Sequence, residues 1–158
     1  MKFFQQLAVA AAVSVAAAPA FATDILFDAD LDNQCTLAAP TNGSMEITAD
    51  GLFLSSELTD TGVPASITVA SIGASLLTID APSVEQTPTG YNSTGQIARV
   101  RYNGVGLLNL IDQPYTTEST SFVVPNISAT VLTVNAQLEN ANSFVDGIYQ
   151  LKTVVTCS

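Results

Sequence analysis

Apolar and polar residues alternate with a period of two along much of this chain, the signature of strands that bury one face. In "DILFDADLDNQC" (residues 24–35), Ile25, Phe27, Ala29 and Leu31 share one face, while Asp28, Asp30 and Asp32 share the other. The stretch "SMEITADGLFLSS" (44–56) reads as a hairpin about Asp50 and Gly51, a dipeptide suited to the positive φ of a tight turn. Pairing outward from that turn sets Ala49 opposite Leu52 and Ile47 opposite Leu54 on a buried face, leaving Glu46 and Ser55 on a wet one. A second hairpin is expected in "QIARVRYNGVGLLNLI" (96–111), with Asn103 and Gly104 in the turn and Val100 opposite Leu107. That register would also set Arg99 against Leu108, so its faces are mixed.

Further strands are expected at 66–71, 75–81, 121–125, 129–138 and 148–157, with a long loop at 83–95. Residues 129–138 also fit helical spacing through Val131, Val134 and Leu138. Alternation of Leu132, Val134, Ala136 and Leu138 and the crowd of β-branched side chains favour a strand. About nine short strands without helical linkers predict an all-β fold, a single antiparallel immunoglobulin-like β-sandwich, with a small barrel as the alternative.

The first 22 residues change the picture of where this domain lives. Lys2, the 12-residue apolar run at 7–18 and "AFA" at 20–22 have the form of a secretory signal cleaved after Ala22. Twelve residues are too short to cross a hydrocarbon core of ~30 Å as a helix. The expected mature chain, 23–158, is one exported domain without a membrane span, periplasmic, secreted or on the cell surface. Beyond the signal, 14 acidic side chains face only Arg99, Arg101 and Lys152, which argues against nucleic acid and anionic lipid as partners. Cys35 and Cys157 are the only cysteines, and an oxidising compartment should join them.

Candidate chemistry is sparse. Asp28, Asp30 and Asp32 imitate the opening of a calcium loop, but Asn33 stands where glycine is required and Ala39 where the bidentate glutamate belongs. A solvent-facing strand edge accounts for them more simply. Asp60-Thr61-Gly62 matches the core of an aspartic-protease turn, so a hydrolase using Asp60 is the enzyme alternative. Thr59 and Val63 depart from that pattern, and no second hydrophobic-glycine segment accompanies it. Histidine is absent and both cysteines are assigned to a bridge, leaving no imidazole base, ordinary zinc site or thiolate nucleophile. Asn-x-Ser/Thr matches at Asn42, Asn92 and Asn126 read as polar turn and strand residues, because the signal is of bacterial character. No enzyme, metal or cofactor is expected.

The C-terminal run "SFVDGIYQLKTVVTC" (143–157) has an aromatic-x-x-Gly-x-Tyr lead into an alternating strand. Together with the N-terminal strand and the cysteine soon after it, this resembles the small secreted domains of the spore coat protein U and chaperone-usher pilin type. The resemblance covers the two ends of the chain. It implies an incomplete immunoglobulin-like sandwich that polymerises by strand addition, with the chain itself or a periplasmic chaperone as partner. Ile25, Phe27, Ala29 and Leu31 would then be donor side chains, and Tyr149, Leu151 and Val155 would line the acceptor groove. Many pilins pair their first cysteine with one closer in sequence, a departure here. The alternatives are a self-complete sandwich serving in a coat and a secreted ligand-binding module.

Overall fold

The computed structural model describes residues 34–105 and 111–158, with the side chains of residues 127 and 128 left aside. Ile25, Phe27, Ala29 and Leu31, the three aspartates between and after them and the signal segment lie outside the described residues. What is described is an antiparallel all-β fold of sandwich type. Its strands are β1 (Gln34–Thr41), β2 (Glu46–Ile47), β3 (Phe53–Ser55), β4 (Ala65–Ile72), β5 (Ser75–Ile79) and β6 (Ser83–Gln86). There follow β7 (Ile97–Val105), β8 (Asp112–Thr116), β9 (Thr120–Val124), β10 (Ile127–Glu139), β11 (Gln150–Lys152) and β12 (Val155–Cys157).

The organising element is β10, 13 residues long and rich in Thr and Val. One of its edges carries β7 over the whole run from Val131↔Val105 to Glu139↔Ile97. The other edge is shared end to end, by β4 up to Val134↔Ala65 and by β3 from Gln137↔Ser55. β1 extends the sheet beyond β4, β2 beyond β3 and β8 beyond β7. Facing it, β12, β5 and β9 form a three-stranded sheet, while β6 and β11 pair beside them. The two pieces run on from the same chain segments, and the Asp80 amide donates to the Val154 carbonyl (2.9 Å) at the interruption.

Alternation puts Val69, Val100, Tyr102 and Leu132 inward from the large sheet and Leu77, Ile79 and Val124 inward from the small one. Complete burial of such a side chain contributes about 1.5–3 kcal/mol, so these residues dominate the stability of the domain. Tyr102 and Phe122 meet edge to face across the layers, ring centroids 5.7 Å apart. The arginines between the inward positions of β7 point out, where Arg99 pairs with Glu139 (2.6 Å) and Arg101 with Glu57 (3.2 Å).

Several expectations need correction. The first hairpin has the expected register, Ile47↔Leu54 and Glu46↔Ser55. Its loop is wider than two residues, closed by the Thr48 amide on the Phe53 carbonyl and by Asp50 Oδ1 accepting from Thr48 Oγ1 and the Leu52 amide. Its faces also differ from expectation: Ser55 is buried while Ile47 is 54% exposed. The Asn103-Gly104 dipeptide is strand, not turn, because the partner β10 continues past it and pairs Thr133 with Asn103 and Leu132 with Gly104. β7 runs on to Val105 and pairs antiparallel with β8. Strands β1, β6 and β8 were not expected. β1 and β8 contain Pro40 and Pro114, tolerated because both strands are sheet edges whose registers shift beside the prolines.

Candidate functional site

Among the described residues the two sheets do not close along one side. A cleft of about 1170 Å³ opens there. Its floor is sandwich interior, with Leu54 from β3, Val100 from β7, and Val134 and Ala136 from β10. One wall is the segment from Asn42 to Ile47; the other is β11 with the preceding loop. A smaller hollow of about 210 Å³ continues it toward β12, between Thr41, Ile67 and Val155. Beyond Val155 the sheets are joined by the Cys35–Cys157 disulfide, Cα atoms 5.7 Å apart. The disulfide therefore holds the sheets close together beyond the β12 end of the cleft.

The expected groove residues fall along this wall: Tyr149 and Leu151 line the main cleft and Val155 its extension. All three residues of β11, Gln150 to Lys152, contribute to the lining. A strand does this when it presents an edge, since a face would contribute only alternate residues. Among the described residues β11 pairs only with β6 and β12 only with β5, so that edge carries no ladder. An unpaired edge beside a cleft floored by core side chains is a template for another strand.

The aromatic-x-x-Gly-x-Tyr motif holds the wall in place. Phe144 and Tyr149 pack edge to face at 5.5 Å, and Tyr91 from the long loop stacks on Phe144 at 6.1 Å. The Tyr149 hydroxyl donates to the Val145 carbonyl (2.8 Å) and accepts from the Val145 amide (2.9 Å), tying the turn to the start of β11. Gly147 has φ 145° and packs against Pro88, where a Cβ would collide with the proline ring. Asn140, fully buried, donates from Nδ2 to the carbonyls of Asn92 (3.0 Å) and Ser143 (3.3 Å). Sequence reading missed Asn140; an Asn-x-Asn-Ser turn just after an apolar strand was the available signal.

Asp60 lies elsewhere, at the end of a 3-10 turn (Leu58–Asp60) closed by Thr61 at φ 65°. Gly62 packs against the backbone of Ser55 and Ser56. Nearby, the Tyr115 hydroxyl donates to Glu57 Oε1 (2.8 Å), the oxygen that Arg101 also contacts. Burial, then the hydrogen bond and charge of Glu57, push the Tyr115 phenol well above its ordinary range. This arrangement ties β7, β8 and the 3-10 turn together, which is a structural role. Among the described residues no group of three His, Cys, Asp or Glu is placed to hold a metal ion, and no helix is long and apolar enough to cross a membrane. The geometry of the site therefore has to speak alone, because no family model, curated protein or solved structure matches this chain.

Proposed function

We propose that this chain is an exported, non-enzymatic structural subunit of a cell-surface fibre or coat, assembled by adding a strand of one copy to the cleft of the next. The observation that carries this reading is the coincidence of a β11 edge unpaired among the described residues with an apolar-floored cleft beside it. Residues 24–32 suit that cleft: their alternate side chains Ile25, Phe27, Ala29 and Leu31 offer one apolar face. At ~3.3 Å per residue they span ~30 Å, comparable with the eight residues from Gln150 to Cys157.

Donation between copies is favoured over return of the segment to its own cleft. β1 starts at the disulfide end, where Cys35 and Cys157 have Cα atoms 5.7 Å apart. A strand lying between two others needs about 9.5 Å, twice the usual inter-strand spacing. A tight reversal at Asn33 would have to seat its first residues where that room is absent. A strand arriving from another copy can use the open end.

Electrophoresis of the secreted protein without boiling tests this. A ladder of multimers that collapses to monomer on heating is expected; a lone monomer band before and after heating, at the concentration of the native material, overturns the reading.

A further inference from the structure

Two of the three basic side chains beyond the signal are already engaged, Arg99 with Glu139 and Arg101 with Glu57, both from β7. The third, Lys152, is exposed on β11, lines the cleft and makes no ion pair among the described residues. The other charged groups on the cleft are Glu46, Glu85 and Asp146, all acidic. A lone cation among acids, on the edge that carries no ladder, is placed for an incoming acidic group.

We infer that Lys152 pairs with the acidic face of residues 24–32 of a second copy added along β11; this rests on the strand-addition reading. Leu151 is half-buried against the core, and its neighbours Gln150 and Lys152 are exposed. A strand added with Ile25, Phe27, Ala29 and Leu31 in the cleft presents Asp28, Asp30 and Asp32 on the same outer side as Lys152. Directly opposite residues on neighbouring strands have Cβ atoms ~5 Å apart and diagonal ones ~7 Å, within reach of a lysine from any of the three carboxylates. A one-residue slip would expose the apolar face, and a two-residue slip preserves it, so burial alone leaves the choice among even registers open. Exposed cross-strand charge pairs are weak in affinity, yet a like charge in the same place is unfavourable, so reversing the charge at Lys152 disfavours the added strand.

The test mixes copies of the secreted protein labelled with ¹⁴N and ¹⁵N, treats the multimers with a zero-length carbodiimide and maps the cross-links by mass. The expected product joins Lys152 of one label to Asp28, Asp30 or Asp32 of the other. Lys152→Glu, exposed and not expected to alter circular dichroism, should lower the multimer fraction by roughly two- to tenfold. Lys152→Glu combined with Asp28→Lys and Asp30→Lys should restore it. Multimers that form undiminished with Lys152→Glu, or cross-links from Lys152 only to carboxylates of its own copy, overturn the inference while leaving strand addition standing. Absence of heat-sensitive multimers from the unaltered protein overturns both.

Discussion

Tyr102 is 1% exposed, and its hydroxyl has no hydrogen-bond partner among the described residues. A buried hydroxyl without a partner costs stability, so Tyr102→Phe should leave the urea midpoint unchanged or raise it, whereas Leu132→Ala should lower stability by about 2–5 kcal/mol. Burial pushes the Tyr102 phenol up to about 12, and Tyr115 is raised as well. Both groups are easier to deprotonate in the unfolded chain. Their contribution is thus fully present below pH ~10 and is lost as pH rises through the folded values. Denaturant midpoints measured from pH 9 to pH 12 should fall, and more gently in Tyr115→Phe. The inward positions of β10 were legible from alternation, whereas those of β7 were not, because a turn expected at Asn103-Gly104 left its faces mixed. The cost of Tyr102's hydroxyl was not legible either, since partners from distant strands decide it.

At the scale of elements, β10 was readable as a strand because β-branched residues and alternation agree along it. The Asn103-Gly104 turn was misread for a physical reason: local turn preference is outweighed by the ladder that β10 offers on both sides of the dipeptide. β1 and β6 carry weak patterns and owe their pairing to β4 and β11, which local sequence does not reveal. The motif from Phe144 to Tyr149 was visible as a pattern, and the fold supplies its cause in the aromatic packing and in the contact of Gly147 with Pro88. Gly147→Ala should therefore displace the wall, costing more than about 1 kcal/mol in chemical denaturation and weakening multimers. Asn140→Ala removes hydrogen bonds from a fully buried amide and should cost about 1–3 kcal/mol by the same measurement.

For the whole molecule, the disulfide is both staple and boundary. The Cys35–Cys157 pairing expected from the two cysteines is present, with a sequence separation of 122. In the chain-entropy account a bridge closing so long a loop contributes roughly 4–5 kcal/mol. Replacing both cysteines by serine should lower the denaturation midpoint accordingly. The bridge also holds the sheets close together beyond β12, so an arriving strand has more room at the other end of the cleft. Sequence placed Tyr149, Leu151 and Val155 together only through a resemblance at the chain ends; the open side of the sandwich depends on which edges remain unpaired, a property of the whole sheet arrangement. Hydrogen exchange of residues 150–157 in the assembled protein tests this most directly. Amides left unpaired by β5 and β6 should exchange slowly in multimers and become fast once heating has separated them. Fast exchange along that edge in intact multimers would contradict the account, for it would put the joint between copies somewhere other than the cleft.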